Sequence, residues 1–134
     1  MNCMVGNMDK KWISLVPCNG LSPQGLIART ACTDILEEED NVITICITAT
    51  AAESKGIKDV VGKYPIITVN GCENACPNKI LEDKGVKVTK TVNTKEILSK
   101  ENLNPKNVSR LSEEDEKCVE ALKMRIKEIL EDIN

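Results

Sequence analysis

The 134-residue chain has no histidine and no phenylalanine, and Trp12 and Tyr64 are its only aromatic residues. Without imidazole there is no Cys-His dyad and no histidine relay, and any zinc-like ion must be held by thiolates helped by a carboxylate or water. Without aromatic bulk the core must be built from Ile, Leu, Val, Ala and some cysteines. Nowhere do about 18 apolar residues run together, and the stretch Met1 to Lys11 lacks the apolar segment of a signal peptide. A soluble, cytoplasmic protein with no membrane partner is expected. The formal charge is −3 at pH 7, and no segment clusters Lys and Arg with aromatics, so nucleic acid is not an expected partner. Lys84, Lys87 and Lys90 read as solvated residues along an edge strand, where they discourage edge-to-edge pairing.

Seven cysteines are present. An odd number of thiols in a reducing compartment argues for ligands, reactive groups or core filling and against a disulfide framework. A chain of this length fits one domain over residues 1–134, with 1–11 as an N-terminal extension.

Apolar runs alternate with segments of helical period. Strands are expected at 12–17, 42–47, 65–70 and, more weakly, 86–92; helices are expected at about 23–37, 50–62 and 74–84. Such alternation predicts a three-layer, Rossmann-like α/β fold with a mostly parallel sheet of about four strands. The first three strands are almost continuously apolar, as buried parallel strands are, whereas Val86, Val88 and Val92 alternate with polar residues, as in an edge strand. Ser22 before Pro23 reads as an N-cap followed by proline in the first turn. Residues 101–110 read as a loop. Ser112 with Glu113, Glu114 and Asp115 opens a long C-terminal amphipathic helix over 111–133. Its apolar face, Cys118, Leu122, Ile126, Leu130 and Ile133, is expected to pack on its own domain, with a homodimer interface as the alternative.

The cysteines fall where this architecture builds sites. Cys18 follows the first strand, Cys46 lies in the second apolar run, and Cys72 and Cys76 follow the third. In a parallel sheet with the first strand between the second and third, those ends share one edge, and four converging thiolates make a tetrahedral Zn²⁺ site. Pro77 requires a helix to start close to Cys76, exposing backbone N–H groups that favour thiolates. Such a centre carries excess negative charge, so donors from the loops at Gly20 and Gly71, or a cation such as Lys79 or Arg29, are expected beside it. Gly71 is expected to let the backbone turn away from its strand. A Cys-x-x-x-Cys pair alone is a weak signal, because metal knuckles and redox pairs more often have two residues between the thiols. Cys46 is also compatible with a mid-strand core position, with Cys32 as its substitute ligand.

Asn70-Gly71-Cys72 with Cys76 and Lys79, Cys18-Asn19-Gly20 with Gly25, and Cys46 before an alanine-rich stretch together resemble the DGC-domain family. That family is associated with zinc binding and named for an Asp-Gly-Cys motif with a second cysteine after three intervening residues. The resemblance covers roughly residues 12–90 and implies Cys18, Cys46, Cys72 and Cys76 as the four thiols. Asn70 stands in place of the motif's Asp, which removes a carboxylate available for proton transfer, and Pro77 replaces a small residue. Cys3, Cys32 and Cys118 lie outside the pattern, and Cys32 and Cys118 read as core.

Two further chemistries use the same thiols. A metal-free redox or sulfur-transfer enzyme would attack with Cys72 or Cys76 and resolve with Cys18, and an iron-sulfur cluster also accepts four thiolates. A phosphatase-type loop at Cys18 is excluded, because the arginine needed six residues later is Gln24. Gly20 and Gly25 have the spacing of a phosphate-binding loop but lack the following Lys and Ser or Thr, and no G-x-G-x-x-G occurs.

Overall fold

The computed structural model describes residues 11–18, 22–71 and 74–133. Four parallel strands form one sheet: β1 (Ile13–Pro17), β2 (Val42–Thr44), β3 (Ile66–Asn70) and β4 (Lys90–Asn93), in the order β2-β1-β3-β4. The chain crosses from β2 on one side of β1 to β3 on the other, so the sheet reverses its winding between β1 and β3. In open α/β sheets the crevice at the carboxyl ends of such a strand pair is where ligands bind.

Strand alternation divides the core in two. Ile13, Leu15, Ile67, Val69 and Val92 face one side, beneath α1 (Pro23–Glu38), α5 (Thr94–Lys100) and α6 (Glu113–Ile133). Val16 and Ile66 face the other, beneath α2 (Ile47–Ala51), α3 (Ile57–Val61) and α4 (Cys76–Asp83). This is the expected three-layer architecture.

The caps explain where the principal helices begin. Ser22 Oγ accepts the Gly25 N–H (2.9 Å), with Pro23 in the first turn of α1. At α6, Ser112 Oγ accepts the Asp115 N–H (3.2 Å) while Asp115 accepts the Ser112 N–H (3.2 Å), a reciprocal capping box. Asp115 also accepts from Asn107 Nδ2 (2.8 Å) and the Lys106 N–H (3.3 Å), tying the preceding loop to the helix. The apolar face of α6 packs against α1 and α5, and Cys118, Leu122 and Ile126 are fully buried there. Lys123 on α6 bridges to Asp34 and Glu38 on α1.

Several expected elements shift. The strand expected over 42–47 ends at Thr44, because Cys46 caps a helix instead. The helix expected over 50–62 divides into α2 and α3 where Glu53 and Gly56 adopt positive φ (54° and 84°). Val86 and Val88 pack on the second core cluster from a loop, so β4 begins only at Lys90. Lys90 alone of the three edge lysines lies on that strand; Lys84 pairs with Glu53 (3.4 Å). Helix α5 occupies a segment given no element in sequence, starting directly from β4 through the Asn93 cap.

Trp12 and Tyr64 stack at a centroid separation of 5.9 Å just ahead of β1 and β3, at the amino end of the two central strands. Among the described residues no helix is long and apolar enough to cross a membrane.

Candidate functional site

Three cysteines mark the carboxyl ends of three adjacent strands. Cys18 follows β1 immediately; it is 7% exposed and its N–H donates to the Val69 carbonyl (3.0 Å), prolonging the β1–β3 ladder by one residue. Cys46 follows β2 as the N-cap of α2, its Sγ accepting the Ala49 N–H (3.4 Å). It is exposed, not a mid-strand core residue. Backbone N–H donors to sulfur are what metal-bound thiolates use to spread their charge. Cys76 is the first residue of α4 and is exposed, preceded by Ala75 in the left-handed conformation (φ 48°, ψ 48°) with no side-chain cap. Cys72, and with it Gly20 and Cys3, lies outside the described residues. Among those described, no group of three potential ligands stands close enough to hold a metal ion.

The remaining thiols play the expected part. Cys32 and Cys118 are free and fully buried within the core beneath α1, α5 and α6. Burial pushes both thiols up in pKa; at Cys118 the charges of Asp115 and Glu114 add to it. Cys32 is thus a core thiol, while Cys46, whose burial would have called for a substitute ligand, is exposed. Of the two cations expected to balance the site, Arg29 is exposed on α1. Lys79 lines a groove with Ala51, Ile80, Asp83 and Lys84.

Gly71 packs the exit of β3 against the first turn of α1. It is buried, and a Cβ there would stand 2.8 Å from both the N and Cα of Gly25 in the first turn of α1. Its role is this close backbone approach, where sequence suggested a turn. Gly25 is the other half of that contact, and only a three-dimensional pairing could reveal it.

A polar chain beside the thiols was also not foreseen. Asn70, the last residue of β3, is 2% exposed; its Nδ2 donates to Asn78 Oδ1 on α4 (2.8 Å), and Asn78 Nδ2 donates to Thr91 Oγ1 on β4 (2.9 Å). Thr68 Oγ1 joins Thr91 Oγ1 at 3.3 Å. Among the described residues Asn70 Oδ1 has no hydrogen-bond partner, at a cost of about 1–3 kcal/mol for a buried acceptor. The available signal was Thr68 and Asn70 in an otherwise apolar strand, spaced two apart and so on one face.

The DGC domain model matches residues 14–122. The chain belongs to the DGC-domain family. Residues 14–122 take in all of the sheet but Ile13, the first five helices and part of α6, so the strand-end cysteines of this DGC domain lie inside the matched region. No curated protein and no solved structure matches the chain.

Proposed function

We propose that this DGC domain binds Zn²⁺ through the thiolates of Cys18, Cys46, Cys72 and Cys76 at the carboxyl edge of its sheet. The observation that carries the reading is the placement of Cys18, Cys46 and Cys76 directly after, or one helix start beyond, three adjacent strands. The donor set fits the ion: thiolates in a chain without histidine are soft ligands that suit zinc, and Cys46 and Cys76 are exposed. Because the described thiols are not gathered into a trio, the reading requires Cys72. Zinc so held would supply closure of the loops with four thiolates, or a Lewis acid if one position stayed open. The chain's own contributions are the Ala49 N–H on Cys46, the Gly71–Gly25 contact that fixes the loop bases, and the buried Asn70 amide.

Elemental analysis of protein purified without oxygen, beside the variant with all four cysteines changed to serine, tests this. About one zinc per chain, absent from the variant, is expected. Iron with sulfide and visible absorbance would replace zinc by a cluster.

The exposed Cys76 at the start of α4 favours a second reading, thiol redox or sulfur transfer by Cys72 or Cys76 with Cys18 resolving. Its mark is a Cys72→Ser variant that loses thiol-disulfide exchange while metal content stays at zero in both proteins.

A further inference from the structure

The β1–β3 register ends with Pro17 opposite Val69, and the Cys18 N–H to Val69 carbonyl bond carries it one residue further. Cys18 therefore stands beside Asn70, and by strand alternation both belong to the face covered by α2, α3 and α4. Neighbouring strands lie about 4.8 Å apart, so side chains at paired positions on one face are neighbours. Both residues are buried, and one polar atom of Asn70 lacks a partner among the described residues.

The hydrogen bonds behind Asn70 have a direction that can be reversed. As placed, Asn70 Nδ2 donates to Asn78 and Asn78 Nδ2 donates to Thr91, which leaves Asn70 Oδ1 as the outer end. Every member of this chain is an amide or a hydroxyl. If Thr91 donates to Asn78 Oδ1 and Asn78 Nδ2 donates to Asn70 Oδ1, the same contacts are kept and the Asn70 Nδ2–H becomes the outer end. In one state Asn70 offers an acceptor, which suits a thiol S–H. In the other it offers a donor, which suits a thiolate or a metal-bound sulfur.

We propose that Asn70 is the positioning residue of Cys18, its amide hydrogen-bonding the Cys18 sulfur, with the direction of the Asn78–Thr91 relay setting whether that amide turns its oxygen or its N–H to the sulfur. The proposal rests on the reading of Cys18 as a working thiol, in either chemistry above. It assigns a use to a polar chain that runs from buried Asn70 through half-buried Asn78 to exposed Thr91, on the face that carries Val16, Ile45, Val61, Ile66 and Leu81. No proton leaves the network in the reversal: two amides turn over and the hydroxyls rotate. A carboxylate at position 70 would offer the thiolate no donor and would repel it.

The test uses the full chain, reduced and metal-free, as wild type, Asn70→Leu and Asn70→Asp, with circular dichroism to check the fold. Labelling by iodoacetamide at neutral pH is followed by peptide mass spectrometry at Cys18, with exposed Cys76 as the reference in the same molecule. Zinc affinity is then measured against a competing chelator. The Cys18-to-Cys76 labelling ratio is expected to fall roughly 10-fold in Asn70→Leu and further in Asn70→Asp. Zinc affinity is expected to weaken about 10- to 100-fold at unchanged stoichiometry. Thr91→Val, which shortens the relay away from the thiol, gives a smaller loss in the same direction. Should Asn70→Leu fail to fold, Asn70→Asp is nearly isosteric, and Asn78 can turn its amide to face it. An unchanged labelling ratio in the folded variants, or no labelling of Cys18 in the wild type, overturns the proposal. A wild type that takes up no zinc while its Cys18 labelling depends on Asn70 overturns the metal reading alone.

Discussion

Gly71 rests on the backbone of Gly25: a Cβ at residue 71 would lie 2.8 Å from Gly25 N and 2.8 Å from Gly25 Cα. The neighbours it would meet are main-chain atoms of a capped helix turn, which cannot swing aside as a side-chain tip would. Gly71→Ala must therefore push β3's exit away from the start of α1, at an expected cost of about 1–3 kcal/mol in unfolding free energy. The separation of Cys18 from the loop after β3 grows with it. Urea unfolding reads the first effect and zinc affinity the second; wild-type values for both would remove Gly71 from the site.

Asp115 is expected to dominate the acid sensitivity of the C-terminal half. Burial works to raise its pKa, but hydrogen bonds from Asn107, Ser112 and Lys106 more than offset this and hold the carboxyl below its ordinary value. A carboxyl depressed in the folded state stabilises above its unfolded pKa, and that contribution is lost as pH falls through the folded value, here below about pH 4. Asp115→Ala should cost about 2–4 kcal/mol at neutral pH, because it removes the reciprocal cap and the loop anchor together. The difference from wild type should shrink on acidification, as denaturant midpoints at several pH values would register.

Lys123 is 8% exposed and meets Asp34, Glu38 and Glu120. Burial works against its charge, yet the hydrogen bond to Glu38 and the three carboxylates raise its pKa above the ordinary lysine value, while Lys123 and Lys127 lower that of Glu38. A raised lysine pKa stabilises fully below the unfolded value, near 10.4, and that contribution is lost as pH climbs through the folded value. Lys123→Met keeps the aliphatic packing between α1 and α6 but leaves neighbouring carboxylates facing one another. A loss of about 1–2 kcal/mol at low salt, partly recovered in high salt, is expected from thermal melts at two ionic strengths.

Cys32 and Cys118 should stay unlabelled until the protein unfolds, whereas Cys46 and Cys76 react in the native state. Cys32→Ser buries a hydroxyl at a position without exposure and should cost about 1–3 kcal/mol without altering zinc stoichiometry. Loss of metal in that variant at full stability would bring Cys32 back as a ligand.

The parts of the fold that the sequence announces are those where local chemistry and tertiary packing agree. Ile13 to Val16 carries apolar residues on both faces, with Ser14 the one polar exception, because helices cover both faces of the sheet, and Ser22-Pro23 marks α1 because cap and proline act within one turn. Where apolar residues continue past a strand end the pattern misleads: Ile45 and Ile47 are buried beside helices, not in β2, so Cys46 reads as strand when it is a cap. Helix α5 is seven residues long and begins at the end of β4, leaving no break to announce it. Of the site, the thiol positions at strand ends follow from the alternation of elements. The partners Gly25, Asn78 and Thr91 do not, since each is joined to β3 by contacts between separate elements.

The stack of Trp12 on Tyr64 makes the two ends of the sheet optically distinct. Both rings sit ahead of the central strands, and the six residue steps along β1 from Trp12 to Cys18 span roughly 20 Å. Indole emission thus follows the integrity of the strand entrances, while metal uptake at the cysteines would leave it quiet and appear in sulfur-to-metal absorption. A titration in which fluorescence moves before the ultraviolet band is reporting unfolding, and one in which the band moves alone is reporting chemistry at the thiols.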